Sequence, residues 1–474
     1  MKKTHILIVK LLLLLFIISC DGLSSDNNND IYYINNLNKN WTIRQPAEFE
    51  PSEGVILTFW NQNYDQGSPP EWDFGVPYTM IKELAKDDKV YIIINNSSYE
   101  LVLLDDFQIN DISTDNVEFI LSDFDSWWSR DYAPWFIYDN SDNFKAIDFR
   151  YNRILSAGRF KDDAVPSIFA QSQNIEIILM PMIHTGGNFM SDGQGTTMST
   201  DLIYSDNTGN SYYNYSEDQV NEVLINTIGV KRVFAFEDIL ETGIKHIDCW
   251  AKLLSVEKIL IVEYPDNNNF TYQNLRLNEA ISYLEKTKTA YGTSYKIFRI
   301  LAPNNEPYTN SYIINNKVFV PTPGWDPQAD QNAVEVYKEA MPGYQIIPIL
   351  HNPTNPWKKN DAIHCRTREV IDREMLYIEL VSVIDRDNMI EFNARIISYS
   401  NTDITSAKLH YRFENGEWKS QTLTSLDNDY YQILINNPVS NANLDFYIQA
   451  EDLSGRTQNN PFIGAYDPIS ITTK

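Results

Sequence analysis

Four short clusters carry side chains that could do chemistry. In Trp127-Trp128-Ser129-Arg130-Asp131-Tyr132-Ala133-Pro134-Trp135 two adjacent charges sit among aromatic rings. An ionised carboxylate in such surroundings needs a partner, and on this segment alone the plainer reading is an Arg130–Asp131 ion pair. Thr185-Gly186-Gly187-Asn188, followed by Asp192-Gly193-Gln194-Gly195-Thr196, offers glycines that allow close backbone approach and positive φ. Alone it reads as a turn, and the ligand spacing of an EF-hand loop is absent. If His246-Ile247-Asp248-Cys249-Trp250 is extended, His246 and Asp248 share one face as base and carboxylate, while Ile247 and Cys249 take the other. A satisfied polar pair fits those residues equally well. The fourth cluster is Asn360-Asp361-Ala362-Ile363-His364-Cys365-Arg366-Thr367-Arg368. Arg366 and Arg368 would make the surroundings of Cys365 electropositive and favour a thiolate. A lone cysteine is otherwise a small buried hydrophobe, yet one Cys with His and Asp elsewhere is also a nucleophile pattern. No paired ligands show zinc-motif spacing.

These clusters lie in a long stretch of alternating elements. Val55-Ile56-Leu57, Val90–Ile94, Ile177–Met180, Ile259–Ile261 and Val318–Val320 read as strands buried on both faces. Asn332–Met341 has helical spacing and is stopped by Pro342-Gly343. The recurrence predicts an α/β domain over residues 41–375, without a clean sequence repeat. From 376 to 474 the pattern changes. Leu409, Tyr411 and Phe413 alternate with polar residues, Asn415-Gly416 makes a hairpin turn, and Leu444, Phe446 and Ile448 alternate again. This predicts an all-β, immunoglobulin-like sandwich, read as a stabilising or spacing module.

The 474 residues are 43% hydrophobic, too apolar for a disordered chain. The formal charge is −26, from 38 basic and 64 acidic residues, which argues against non-specific nucleic-acid binding. Lys2 and Lys3 precede an apolar run from Ile6 to Ile18 that ends in Ser19-Cys20. This is a secretory signal over residues 1–19, too short to span a membrane comfortably. Ile17-Ile18-Ser19-Cys20 looks like a bacterial lipobox, so Cys20 is the expected lipid attachment point. Acyl chains there would anchor an exported protein to a membrane, on its periplasmic or cell-surface side. Residues 20–40, opening on Ser24–Asp30, read as a polar tether.

Six motifs resemble, in order, those of bacterial peptidylarginine deiminase: WWSRDYAPWF, HTGGNFMSDGQGT, HIDCW, PYTNSYIINNKVFVP, AMPGY and PW-x3-DAIHCRT. They are also similar to agmatine deiminase, whose opening PAEFEPSEGV occurs as Pro46–Val55. The resemblance implies a pentein-type fold, a five-fold pseudosymmetric α/β propeller. It also implies conversion of peptidyl-arginine to citrulline with release of ammonia, without metal or organic cofactor. Carried over by motif, Cys365 is the nucleophile and His246 the general acid/base. Asp131 and Asp248 hold the guanidinium, and Asn310 supports the nucleophile. Trp128 is an aromatic wall, and Arg153 binds the substrate backbone or carboxylate. His184 and His364 are read as structural, with His364 pointing away from the nucleophile on a strand, and Cys249 as packing.

Two departures bear on specificity. A second arginine of the peptidylarginine enzyme is Leu155 here, with Arg159 as a replacement whose reach the sequence does not show. Agmatine deiminases have Glu-Gly-Gly where this chain has Thr185-Gly186-Gly187. The alternatives are therefore an agmatine or other small-molecule guanidine deiminase, an amidinotransferase, and a non-catalytic surface binding protein.

Overall fold

The computed structural model describes residues 43–239, 243–386, 388–437 and 441–474, and the backbone alone of 31–34 and 155. The leader, Cys20 and most of the proposed tether lie outside the described residues.

One connectivity recurs in five small sheets. A strand runs antiparallel to a second, the chain crosses over through helix, and a third strand returns parallel to the second. Such a parallel return needs a crossover, and a helix supplies it. The units are Trp135–Tyr138, Phe144–Tyr151 and Glu176–His184; Met190–Ser191, Thr196–Thr200 and Arg232–Phe236; Ala251–Leu253, Lys258–Glu263 and Lys296–Leu301; and Tyr312–Ile314, Lys317–Pro321 and Gln345–Ile349. The remaining sheet joins the two ends of the domain. Arg368–Ile371 pairs antiparallel with Ser52–Thr58, which is parallel to Lys89–Ile94, itself parallel to Val117–Leu121. No sheet closes on itself among the described residues.

Local chemistry explains the crossover helices. Glu217–Ile228 opens on a capping box between Ser216 and Gln219 and ends at Gly229, whose φ is 75°. Pro327–Ala340 begins earlier than its apolar spacing predicts, because Asp326 accepts from the backbone N–H groups of Gln328 and Ala329 and Pro327 occupies the first turn. The apolar runs chosen as strands are strands. Glu176–His184, however, lies at a sheet edge, so Leu179 is 71% exposed rather than buried on both faces.

Two antiparallel sheets follow residue 376. Leu376–Arg386, Met389–Ser398 and Tyr430–Asn436 form the middle of one, and Ile404–Phe413 and Asn443–Asp452 that of the other. Their inward residues share a core in which Phe392 meets Phe446 at 4.9 Å. Ile31–Ile34, expected within the tether, instead pairs with Leu376–Arg386 as an added edge strand. Tyr399 stacks on Tyr138 at 3.5 Å, and Lys258 Nζ meets Asp467 at 2.6 Å, so the second domain is seated directly on the first. Lys258 also donates to the carbonyl of Ala340. Removing Asp467 leaves a buried ammonium with one neutral partner, so Asp467→Ala should cost about 2 kcal/mol. Urea unfolding, followed by a lower midpoint than the parent's, checks this.

Candidate active site

The same position in each unit supplies the site. Just before the antiparallel strand that opens each sheet, the chain makes one short turn. These turns are Ser129–Tyr132, Gly186–Asn188, Ile247–Cys249, the turn before Asn310, and His364–Arg366. They carry Asp131, Gly187, His246 with Asp248, Asn310, and Cys365. The turn at 129–132 touches those at 186–188 and 364–366, and 186–188 touches 247–249. Residues more than two hundred positions apart are thereby gathered at one place.

Cys365 is 2% exposed. Its Sγ lies 3.7 Å from Asp248 Oδ2 and 3.3 Å from the Asn310 amide nitrogen, which donates to it. Asn310 Oδ1 accepts from the backbone N–H groups of Cys365 and Ala362 at 3.2 and 3.1 Å. One amide thus grips both the loop and the sulfur of the proposed nucleophile. His246 Nδ1 stands 3.6 Å from Asp131 Oδ1, and neither His246 nitrogen has a hydrogen-bond partner among the described residues. Asp131 Oδ2 accepts from Tyr151 OH at 3.4 Å, while Oδ1 is unpartnered. Buried polar atoms are normally paired, and here two of them, His246 Nδ1 and Asp131 Oδ1, face the same space. Gly187 marks that space. A Cβ on it would lie 2.5 Å from His246 Nδ1, 2.8 Å from Asp131 Oδ1 and 3.1 Å from Asp248 Oδ2.

The two acids are pushed in opposite directions. Burial raises Asp131 above the usual carboxylate range, and the charge of Asp248 adds to this against His246, Arg153 and Arg159. Burial also opposes the charge on Asp248, but His364 overcomes it through a 2.7 Å hydrogen bond, with His246 and Arg130 assisting, and holds Asp248 below the usual range. Burial pushes the Cys365 thiol well above its ordinary value, and Asp248, Asp361 and Asp131 push it further. This reverses the expectation from Arg366 and Arg368. Arg366 is bound to Asp361 and to the carbonyls of Gly75 and Asn355, and Arg368 to the carbonyl of Pro134 and to Glu369. Their charge is neutralised away from the sulfur.

Other expectations are also corrected. Arg130 pairs with Glu369 at 2.6 Å and Glu48 at 3.4 Å, not with Asp131. The segment at 247–249 is a 3-10 turn rather than extended, so Cys249 does not face away; its Sγ is 3.7 Å from Asp248 Oδ1. His364 lies in a 3-10 turn, not a strand, and reaches Asp248. His184 is packed among Trp135, Phe149 and Phe189, where burial lowers its pKa to about 3. Trp128 is half-buried beside the site, with the Arg159 guanidinium 4.4 Å over its ring. Arg159 also donates to Tyr151 OH at 3.2 Å. Arg153, half-buried, opens the helix Arg153–Ala157. Glu48, Tyr151 and Gly187 had no assigned role in the sequence reading, although Glu48 and Gly187 lie inside its motifs.

A planar cation suits this arrangement, because two carboxylates can accept its N–H groups beside a sulfur. Residues 44–370 match the Porphyromonas-type peptidyl-arginine deiminase family. The chain belongs to that family. It is a hydrolase acting on guanidine C–N bonds, within the agmatine deiminase-like pentein superfamily. A Legionella pneumophila protein named "Putative agmatine deiminase" is 24% identical over 354 residues, covering 71% of this chain and 97% of the relative. Agmatine deiminase of Enterococcus faecalis superposes with a TM-score of 0.57 at 17% identity, covering 70% of this chain and 96% of that one. The Campylobacter jejuni agmatine deiminase gives 0.54 at 21%, covering 71% and 99%. These likenesses establish the shared fold.

Two outcomes follow for the deiminase site. Gly187→Ala places a methyl group against three functional atoms and should lower kcat/KM about a hundredfold in steady-state assays. The acidic limb of kcat/KM against pH should lie above the ordinary aspartate range. As pH falls through the raised value of Asp131, that carboxylate is lost first; a limb below pH 4 would contradict this.

Proposed function

We propose that this chain converts arginine carried on a peptide to citrulline, with Cys365 as nucleophile. Asp131 and Asp248 receive the guanidinium and set its carbon beside the sulfur. The substrate's positive charge stabilises the thiolate, and the thiol proton passes to His246 as the cation enters. The sulfur adds to the guanidinium carbon. His246 protonates the departing nitrogen, which leaves as ammonia, and an S-alkylthiouronium remains. His246 then takes a proton from water, which attacks the same carbon; the C–S bond breaks and the urea group of citrulline departs. The covalent intermediate divides one difficult displacement into two easier ones.

The pair of arginines beside Asp131 carries the peptidyl reading. Arg159 lies over Trp128 and binds Tyr151, and Arg153 acts on the charge of Asp131. Two guanidinium groups there favour a substrate with an anionic tail, such as a C-terminal carboxylate, over the ammonium tail of agmatine. Arg159 thus supports the replacement for the arginine missing at Leu155. Agmatine is the second reading, favoured by the names of the curated relatives and by Asp206, a largely buried carboxylate within reach of the charges of Arg153 and His246. Ammonia and citrulline release from peptides with C-terminal, amidated and internal arginine, run beside agmatine, separates the two. The C-terminal arginine peptide should be preferred, and Arg159→Gln should lower its kcat/KM about tenfold while raising that of agmatine. Exclusive turnover of agmatine would establish the second reading.

A cationic haloacetamidine should label Cys365 far faster than the matching neutral haloacetamide, by about tenfold or more, because only the former brings the charge the thiol needs. Equal rates would show a preformed thiolate.

We read the five repeated sheets as a pentein propeller and the C-terminal sheets as immunoglobulin-like, on the strength of their connectivity. The leader supports a lipoprotein anchored at Cys20. Metabolic labelling with an alkynyl fatty acid should mark the parent and not Cys20→Ala.

A further inference from the structure

His364 is buried, and both ring nitrogens are engaged by acids. Nδ1 is 2.7 Å from Asp248 Oδ2, and Nε2 is 2.7 Å from Glu48 Oε2. Glu48 is in turn held by Lys252 and Arg130, and Arg130 by Glu369. An ionised carboxylate only accepts, so a ring held between two such groups satisfies both by donating from both nitrogens.

We infer that His364 is a positioning residue for the deiminase reaction: as an imidazolium braced by Glu48, it keeps Asp248 ionised and fixed in orientation before the substrate arrives. The need for such a brace is visible in the surroundings of Asp248. Its neighbours are His246, the thiols of Cys249 and Cys365, the carboxylate of Asp131 across the site, and Arg130 behind. No lysine or arginine donates to it among the described hydrogen bonds; His364 is the cationic ring that does. Asp131 has no counterpart to this brace, since only Tyr151 donates to it. The two acids are thus made unequal by one imidazole. Asp248 is held below the usual carboxylate range, while burial raises Asp131 above it. Glu48 acts at one remove, because its charge is what lets the ring stay protonated between two acids. The inference rests on Asp248 receiving the guanidinium, and holds whichever guanidine is turned over.

The test is the pH dependence of kcat/KM for the preferred guanidine, in the parent, His364→Asn and Glu48→Gln, each checked for a native melting transition. With the imidazolium gone, Asp248 is protonated at higher pH. The acidic limb should therefore move up by about one unit or more, with kcat/KM falling about tenfold near that limb and less on the plateau. Glu48→Gln should move it in the same direction by a smaller amount. A merely structural role would scale the whole profile and leave its shape, and superimposable normalised profiles would overturn the inference. Should a variant not fold, the parent answers directly. Among its six histidines, one ring should show both nitrogens protonated throughout the active pH range by nitrogen NMR. Absence of such a ring overturns the inference. Turnover near the parent rate in Asp248→Asn would instead defeat the Asp248 assignment on which it rests.

Discussion

Asp248 is entirely enclosed by protein, and a carboxylate in that position loses its charge unless a cation is provided inside. The nearest basic side chain is His364, 2.7 Å from Asp248, and Glu48 meets the far nitrogen of the same ring at 2.7 Å. Glu48 in turn is tolerable in the interior because Lys252 and Arg130 neutralise it. The order of dependence runs inward to outward, from a row of paired charges at the centre of the domain to one acid that faces the reacting group. Around that acid the same burial and the same negative charges push the thiol's pKa well above its ordinary value. On the proposed mechanism, the nucleophile is therefore stored at rest in an unreactive form.

Much of this was legible in the residues. The strands, the late helix and the hairpin at Asn415-Gly416 follow from apolar spacing and turn chemistry, and the motifs placed Cys365, His246, Asp131, Asp248 and Asn310 in one site. The failures share a cause. Side-chain direction was inferred by assuming extended backbone at 246–250 and around 364, and both segments are 3-10 turns. In a strand, neighbours alternate between faces, whereas in a tight turn consecutive side chains sweep through roughly a third of a circle. Cys249, and likewise both His364 and Cys365, can then approach the carboxylate of Asp248. The electropositive setting of Cys365 failed for a related reason. Proximity in sequence counted Arg366 and Arg368 as neighbours of the sulfur, while Asp361, Glu369 and several carbonyls draw both away.

The five-fold recurrence was implied by the resemblance alone and left no repeat in the residues, because what repeats is position and not identity. Each unit places a short turn before its antiparallel strand, and each turn contributes a different group: an acid, a glycine, a histidine with an acid, an amide, and a thiol. A site built this way is precise because every functional turn is pinned by the strand that follows it, and hydrogen bonds of a small sheet resist the displacement of one end. Gly187 shows the cost of that precision. The turn of its unit passes so close to the others that no side chain fits.

Under the mechanism proposed above, such an arrangement also gives the reaction a direction. The guanidinium enters as a cation and supplies the charge that both acids and the thiol lack. The product of hydrolysis at that carbon is a urea, which is neutral. Once it forms, Asp131 and Asp248 lose the ion they were facing, and the sulfur again sits among negative charges that favour its protonation. Product binding is weakened by the same chemistry that made it, and the urea carbon meets a thiol rather than a thiolate. Discrimination between substrate and product therefore needs no separate pocket or moving lid. It resides in the difference of one charge, read by carboxylates that have been kept buried for that purpose.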